Sequence, residues 1–491
     1  MTQYWTEPPR QRLHGPHYNT ATVRRLAWFT PLPPVRSGIS QYSAELLPEL
    51  AGSYDIDIFI DGQPRDVECP APGLTVRSAH DFVWRHMLRP YDLVVYQLGN
   101  AVYHDYMWAY FARYPGLVVL HDGQLHQARG RRLRDSQRYD DYQDEFAYNH
   151  PGVDNAVIDL AIRGRLGDLA HFWPMRRVAI ESARLVAVHN AFLAEEIRNE
   201  IPGAAVEVVD MGVPAPTPSP DAGSRIRARH GIPAGAVVFL ALGAVTPEKR
   251  IAQVVRQLAA VSQHAPQVFL LLAGQSAGHY DAAADLREAG VADRAVIAGF
   301  IEHDEIADYL EAADVCLCLR WPTSRENSAA WLRCLAAGRP TVVTDLAHMT
   351  DISSYDPRSW TALYTPAATR DADGWPLPQE PSCVSVDLMD EEHSLHLAMQ
   401  RLATDARLRS RLSRRAHELW QERFTLDGMA ARYRALIEQA IAAPMPGAAA
   451  LAGLPAHFRT DGTEGASARL REAGLTEAAI AAVWAVPTRP R

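Results

Sequence analysis

The sequence predicts an α/β protein in which two doubly wound domains, each built on a parallel sheet, follow one another along the chain. Short and nearly continuous apolar segments alternate with longer helical ones, which is typical of parallel strands covered on both faces. A stretch rich in Pro, Ser and Gly at residues 214–224 interrupts this alternation, which then begins again. Because ligands bind at the carboxyl ends of parallel strands, we expect the functional site in the cleft between the domains.

The first domain is predicted over residues 21–213, after a polar, flexible arm at residues 1–20 that shows no periodicity. A helical pattern, QYSAELLPELA, follows the first apolar segment, and a long, charged helical region follows the fourth. The predicted strands of this domain are residues 26–31, 54–61, 91–99, 116–122, 183–190 and 204–213.

The second domain is predicted over residues 225–425, with the strands VVFLALGAV, VFLLLAGQ, AVIAGF, DVCLCLR and PTVVTD. A helical stretch rich in Arg and Ala ends at about residue 443, and we expect its last part, residues 426–443, to pack back on the first domain. Residues 444–491 are predicted to form a low-complexity tail with one short helix.

Composition excludes several classes of protein. The formal net charge is −9 and the isoelectric point about 6.1, which disfavours a basic nucleic-acid-binding face. No apolar run approaches the ~18 residues needed to span a bilayer, and the first residues show no secretory signal. Five cysteines, an odd number without a C-x-x-C pair, exclude a disulfide framework and a zinc ribbon. We therefore expect a cytoplasmic protein with at most peripheral membrane contact.

One lysine, Lys249, stands among 49 basic residues that are otherwise all arginine. It follows the first strand of the second domain, in LGAVTPEKR, and Arg250 comes directly after it. A compact ammonium group there is suited to meeting a phosphate where a planar guanidinium would not fit. A Schiff base with pyridoxal phosphate is the alternative, but no separate phosphate-binding cup is evident.

Two further candidates follow strands of the first domain. Ser37 and Gly38 precede a helix whose first N–H groups could bind an anion or a polar ligand, although a purely structural turn fits equally. His121 and Asp122 end a buried strand and are expected to point into the cleft. The alternative is an Asp that caps a helix beside a histidine satisfied within the fold.

The segment CLRWPTSRENSAAWLRCLAAGRPTVVTD holds the densest group of polar residues. Glu326, Asn327 and Ser328 are predicted to open a helix whose first backbone amides are suited to a diphosphate. Glu326 and Arg333 are seven residues apart, which predicts that they share one helix face. A capping glutamate with a surface arginine is the alternative.

The order and spacing of PPVRSGIS, VVLHD, VVDMGVP, LGAVTPEKR, LLLAG, VIAGF and ENSAAWLRCLAAGRPTVVTD resemble the family 4 glycosyltransferases over roughly residues 25–440. The resemblance implies the GT-B fold, two Rossmann-like domains with an interdomain cleft, and transfer with retained anomeric configuration. The acceptor would bind mainly to the first domain and the nucleotide sugar mainly to the second. A UDP-, GDP-, ADP- or dTDP-sugar would be the donor, and a glycan, a lipid or a small molecule the acceptor.

The resemblance also implies roles for individual residues. His121 would touch the sugar hydroxyls and the reacting centre, Lys249 would neutralise the leaving diphosphate, and Glu326 would stand for the first glutamate of the family's E-x(7)-E pair, shifted by one residue. The remaining donor-binding residues implied by the resemblance are Gly38, Gly243, Arg250, Phe300, Asn327, Ser328 and Arg333.

Two positions depart from the family pattern. Ala244 replaces the arginine that usually follows the glycine, and Arg333 replaces the second glutamate, whose carboxylate accepts hydrogen bonds from ribose hydroxyls. These departures keep open a second class, a degenerate GT-B protein that binds a nucleotide sugar or a partner without turnover. A nicotinamide-dependent enzyme is disfavoured because no G-x-G-x-x-G follows a first strand. The resemblance implies that neither a cofactor nor a metal is needed. Asp55 and Asp57 match in letters the D-x-D of the metal-dependent GT-A alternative, but they lie within a predicted strand and are expected to flank the sheet.

Overall fold

The computed structural model describes residues 23–265, 267–363, 380–459 and 464–484, and within them two parallel sheets of seven strands form the framework. The predicted arm at residues 1–20 lies outside the described residues. Each sheet is covered by helices on both faces, so the prediction of an α/β chain with two doubly wound domains is confirmed.

The first sheet has the strand order β3-β2-β1-β4-β5-β6-β7, and its paired strands run parallel. Strands β4, β5 and β6 are buried along their whole length, as their nearly continuous apolar sequences require. The strands are β1 (Arg25–Phe29), β2 (Asp55–Ile60), β3 (Thr75–Ser78), β4 (Leu93–Leu98), β5 (Leu117–Leu120), β6 (Leu185–Val188) and β7 (Val206–Val208). The helices are α1 (Gly38–Ala51), α2 (Phe82–Leu88), α3 (His126–Asp135), α4 (Tyr139–Asn149), α5 (Asn155–Ile162), α6 (Arg177–Glu181) and α7 (Ala191–Glu200).

The second sheet has the order β10-β9-β8-β11-β12-β14-β13 and is also parallel. Its strands are β8 (Val237–Leu242), β9 (Val268–Ala273), β10 (Ala295–Gly299), β11 (Val315–Cys318), β12 (Thr341–Thr344), β13 (Ser354–Tyr355) and β14 (Cys383–Val386). The helices are α8 (Ala222–Arg229), α9 (Ile251–Ser262), α10 (Ala282–Glu288), α11 (Ile306–Ala312), α12 (Ala329–Ala336), α13 (Glu391–Thr404) and α14 (Ala406–Arg423). Helix α8 begins inside the stretch predicted as a linker, because Ala222 and Ile226 bury an apolar face.

Helix α15 (Leu426–Ala442) crosses from the second domain onto the first and packs against α1. The hydroxyls of Tyr433 and Tyr42 are 2.6 Å apart, and Arg434 donates to the backbone carbonyl of Glu49 at 2.5 Å. Apolar residues of both helices, among them Leu46 and Ile437, are fully buried in one shared cluster. The end of the chain's second domain is thereby attached to the first sheet.

The tail contains more structure than the one short helix predicted for it. Its described part forms α16 (Ala448–Gly453), α17 (Ala456–Arg459), α18 (Glu464–Glu472) and α19 (Glu477–Trp484). Leu454 and Phe458 are buried in the core of the first domain, and His457 lies 2.8 Å from the carboxylate of Glu145. Leu454 and Phe458 are only four residues apart, and one such pair is too short a pattern to predict a packed segment, so sequence patterning did not detect this packing.

We predict that Phe458→Ala lowers the free energy of unfolding by about 3 kcal/mol, because Phe458 fills a buried site beside the Trp108 and Phe111 rings. The measurement is urea-induced unfolding followed by intrinsic fluorescence. Phe172→Ala is the matched control, since Phe172 is 74% exposed on the same domain. Equal stability of the two variants would show that the tail is not part of the first domain's core.

Candidate functional site

A cleft of about 690 Å³ lies between the carboxyl ends of the two sheets. The first domain contributes the loop that precedes α1 and the first turns of that helix. The second domain contributes Gly243 and Ala244 after β8, Gly274 after β9, Phe300 after β10 and the start of α12. The location predicted from the sheet topology is therefore where the structure has its interdomain cavity.

The loop of the first domain presents Gly38 to this cleft. Ser37 caps α1, its Oγ accepting hydrogen bonds from the backbone N–H groups of Ile39 and Ser40 at 3.1 and 3.3 Å. A side chain at Gly38 would meet nothing within 4 Å, so the space beside it is open. Across the cleft the guanidinium of Arg36 lies 3.9 Å from the centre of the Phe300 ring, a cation–π contact between the domains.

Lys249 lies in the second domain between β8 and α9, and its Nζ donates a hydrogen bond to the carbonyl of Leu242 at 2.5 Å. Gly243 has φ +93°, which favours glycine, and a Cβ there would lie 2.7 Å from the Lys249 Nζ, so a larger residue would displace the ammonium group. Burial, and to a smaller extent the nearby Arg320 guanidinium, together lower the pKa of Lys249 to about 8. The ammonium group is thus poorly compensated, which suits it to an anion.

Arg250 does not reach the cleft, contrary to the expectation that it binds the donor. Its Nε donates to the Glu391 carboxylate on α13 at 2.7 Å, and its backbone has φ +59°. This left-handed conformation directs the chain into α9 and the Arg250 side chain toward α13. The cation beside Lys249 is instead Arg320, which lines the same small cavity of about 50 Å³.

Glu326 also lines that small cavity, but it precedes the helix that it was predicted to open. Helix α12 begins at Ala329, and Ser328 caps it by accepting from the N–H of Trp331 at 3.2 Å. Glu326 is ion-paired with Arg320, whose Nε lies 2.6 Å from its carboxylate, and it accepts a hydrogen bond from the Ser324 backbone N–H at 2.7 Å. It therefore does not share a helix face with Arg333.

Asn327 was expected to bind the donor, yet its side chain faces the first domain. Its Nδ2 donates to the carbonyl of His189 at 2.8 Å. Ser328, in contrast, lines the small cavity together with Lys249 and Arg320. Of Asn327 and Ser328, which were both expected to bind the donor, only Ser328 lies beside Lys249 and Arg320.

Arg333 lines the cleft and pairs with a residue of the other domain. Its Nη2 lies 2.5 Å from the Glu45 carboxylate on α1, which is also 3.1 Å from the Nε2 of His303. Burial raises the pKa of Glu45, but hydrogen bonds from His303 and Arg333 outweigh this effect, so its pKa lies below the ordinary value. The partner of Arg333 is thus Glu45, a carboxylate that sequence reasoning missed.

His121 is enclosed in the first domain and does not line the cleft cavity, which differs from the expectation that it touches a sugar. Its Nε2 lies 2.7 Å from the Gln97 Oε1 and its Nδ1 3.1 Å from the Nε2 of His189. Burial, followed by the neighbouring His189 and His104, holds the pKa of His121 well below its ordinary value. Tyr42, which does line the cleft, packs against His121 with the ring centroids 4.7 Å apart.

Asp122 and Asp57 have different environments. The Asp122 carboxylate accepts from the backbone N–H of Asn100 at 2.7 Å, and burial together with the charge of Glu326 raises its pKa to about 7. Asp57 is buried in the sheet and bonded to Arg25, Arg77 and Tyr91. Asp57 therefore has a structural role, as its position within a strand indicated.

Nowhere in the described ranges do three or more His, Cys, Asp or Glu side chains come together in a way that could hold a metal ion. None of the helices in those ranges combines the length and apolar character needed to cross a membrane.

Residues 236–367 match the family model described as "Glycosyl transferases group 1". Among curated proteins the chain is similar to a 2-deoxystreptamine glucosyltransferase of Streptomyces kanamyceticus, with 28% identity over 186 residues. That alignment covers 36% of this chain and 46% of the relative, so the chain spans about half the length of the curated relative that it matches.

Solved structures extend the similarity to both domains. The chain superposes on a sucrose-phosphate synthase from Thermosynechococcus elongatus with a TM-score of 0.57 and 18% identity, covering 86% of this chain and 100% of that one. It superposes on HepE from Anabaena, solved in complex with UDP-glucose, with a TM-score of 0.56 and 14% identity, covering 84% and 99%. These similarities show that the chain has the GT-B fold.

We predict that the Glu45–Arg333 pair stabilises the contact between the domains. Glu45→Arg and Arg333→Glu should each destabilise the protein, and the double exchange should recover about 2 kcal/mol as a coupling energy, because the two charges are again opposite. Thermal unfolding of the four proteins measures this coupling. The same exchange at the more exposed pair Arg229 and Glu305 is the control, with about 0.5 kcal/mol expected. Equal coupling at both pairs would contradict the prediction.

Proposed function

We propose that this chain, which has the GT-B fold and a glycosyl transferases group 1 region at residues 236–367, is a glycosyltransferase that uses a nucleotide sugar. The observation that carries the proposal is that Lys249, Arg320 and the start of α12 line one small cavity of the second domain, which shares Leu242 and Ala330 with the interdomain cleft. Two cations and a helix N-terminus are the groups that a diphosphate requires. The open space beside Gly38 would accommodate the rest of the donor or the acceptor.

In this proposal the C1–O bond between sugar and diphosphate breaks while positive charge develops on the sugar ring. Lys249 and Arg320 stabilise the negative charge on the departing oxygen, a preorganised electrostatic effect. Glu326, held by Arg320, faces the sugar. The acceptor hydroxyl forms the new C1–O bond on the face that the diphosphate leaves, and its proton passes to a phosphate oxygen. This route would retain configuration and would need neither a metal nor a cofactor.

UDP and UDP-glucose are the first ligands to test, because the HepE structure holds UDP-glucose. GDP-, ADP- and dTDP-sugars belong in the same panel, since Arg333 supplies no acceptor for ribose hydroxyls and is occupied by Glu45. An aminocyclitol such as 2-deoxystreptamine is the first acceptor to test, following the named activity of the curated relative. The five free cysteines accord with a cytoplasmic location, which is part of the proposal.

A binding protein without turnover is the second candidate, and specific observations favour it. Ala244 supplies no phosphate cation, Arg333 replaces a carboxylate, and His121 is enclosed beside Tyr42. Both candidates bind a nucleotide sugar, but only the first releases free nucleotide diphosphate. Incubation with the donor panel, with and without acceptor, followed by chromatography of the nucleotides, separates them. Absence of both binding and release with every donor would contradict the proposed function.

We predict that Lys249→Ala lowers turnover by about 10²-fold, because the charge of the leaving diphosphate loses its most enclosed partner. Lys249→Arg should recover only part of the activity, since the broader guanidinium does not fit beside Gly243. Steady-state kinetics with the active donor measure both effects. Arg256→Ala is the control, because Arg256 pairs with Glu392 on the surface. Full activity of Lys249→Ala would eliminate the role in leaving-group stabilisation.

We also predict that UDP binding weakens as pH rises through about 8. The pKa of Lys249 in the free protein is about 8, below its ordinary value, so the ammonium that meets the phosphates is lost above that pH. Affinity should then fall by up to about tenfold per pH unit. Calorimetry from about pH 7 to about pH 9.5 measures this. Lys249→Arg should bind more weakly at neutral pH but show no such decline, because arginine stays charged. A decline of equal size in both proteins would refute the assignment.

A further inference from the structure

Residues 323–327, here called the bridging loop, belong to the second domain but are bonded to the first. The backbone N–H of Gly123 donates to the Ser324 carbonyl at 2.7 Å, and the Arg325 side chain is ion-paired with Glu196 on α7. Gly123 is suited to this contact, since a Cβ there would lie 3.1 Å from the Ser324 oxygen. The loop that carries Glu326 is therefore held from the other side of the cleft.

Asn190 makes two further contacts with the bridging loop, both through its side-chain amide. Its Oδ1 caps α7 by accepting from the Leu193 N–H at 2.8 Å, and its Nδ2 donates to the Arg325 carbonyl at 3.0 Å and to the Asn327 Oδ1 at 3.1 Å. Only 4% of Asn190 is exposed, so both donated bonds are shielded from water. Because the Oδ1 of Asn190 is held by the N-terminus of α7, the orientation of its side-chain amide is fixed. The Nδ2 of that amide in turn holds the bridging loop in place.

The bridging loop needs such a constraint because its backbone is strained. Arg325 has φ +61°, a left-handed conformation that a non-glycine residue adopts only when its surroundings enforce it. This turn brings the Ser324 N–H to the Glu326 carboxylate at 2.7 Å, and it leaves the other carboxylate oxygen for Arg320. The direction of the Glu326 side chain thus depends on the conformation that Asn190 holds.

We propose that Asn190 is a positioning residue through which the first domain sets Glu326 and Arg320 of the donor site. This inference rests on the proposed function for its catalytic consequence, but the tether itself does not. Donor-site geometry is then complete only while the two domains are docked. Asn190 acts through the bridging loop and does not contact the donor.

Asn190→Asp tests this inference, because aspartate keeps the cap on α7 and loses both donated hydrogen bonds. The carboxylate would instead face the Arg325 carbonyl and the Asn327 Oδ1. Asn149→Asp is the matched control: Asn149 is 1% exposed in the same domain, its Nδ2 donates to the Glu145 carbonyl at 2.7 Å, and its Oδ1 accepts from the Val178 N–H. Both variants undergo the same chemical change, but only Asn190 touches the bridging loop.

Two measurements are made on the full chain. Hydrogen exchange followed by mass spectrometry should show faster exchange of the peptide covering residues 323–327 in Asn190→Asp and not in Asn149→Asp. Donor kcat/KM should fall by about tenfold or more in Asn190→Asp, as expected from two lost buried hydrogen bonds, and by less than about threefold in Asn149→Asp.

Unchanged exchange of the loop in Asn190→Asp would overturn the tether. Changed exchange with wild-type kcat/KM, or an equal kinetic loss in Asn149→Asp, would overturn the positioning role. If the wild type turned over no donor in the panel, the proposed function would fail, and the exchange experiment would still decide whether Asn190 holds the loop.

Discussion

The packing of α15 on α1 is the contact on which the site depends, because it determines how the two sheets face each other. Where the chain returns toward the first domain, the N–H of Val213 donates to the Phe424 carbonyl at 2.9 Å, and Leu426 donates back to the Val213 carbonyl at 3.2 Å. Tyr433 then meets Tyr42, which is itself a wall of the cleft. Tyr42 therefore both contacts α15 and lines the cleft, so the packing of the domains and the shape of the cavity depend on the same residue.

The charges at the cleft are distributed unevenly between its parts. Lys249 and Arg320 line the small cavity of the second domain together with one acidic residue, Glu326. Arg333 is instead neutralised by Glu45 of the first domain. In the proposed function a diphosphate would compensate the first group, in which two cations accompany one carboxylate. The second group already has its counter-charge, and this makes it a contact between domains rather than an additional anion site.

The bridging loop gives the two domains a second junction, formed by residues other than those with which α15 packs on α1. Gly123, His189 and Asn190 of the first domain all bond to residues 323–327, so a change in domain orientation must also change the loop that carries Glu326. Hinge motions act through such few bonded positions. The relative position of the two domains and the arrangement of the proposed donor site are therefore coupled through this loop.

The sequence by itself determined the two parallel sheets, predicted the cavity at their carboxyl ends, and singled out Lys249 as a candidate. These follow from periodicity, from strand ends and from one residue count, all of which are local properties of the chain. Only the tertiary structure decided that Arg320 replaces Arg250 beside Lys249, that Arg333 pairs with Glu45, and that His121 is enclosed. Such choices depend on side chains brought together across long separations, 288 residues for Glu45 and Arg333, and no local pattern encodes which of several arginines will meet a given carboxylate.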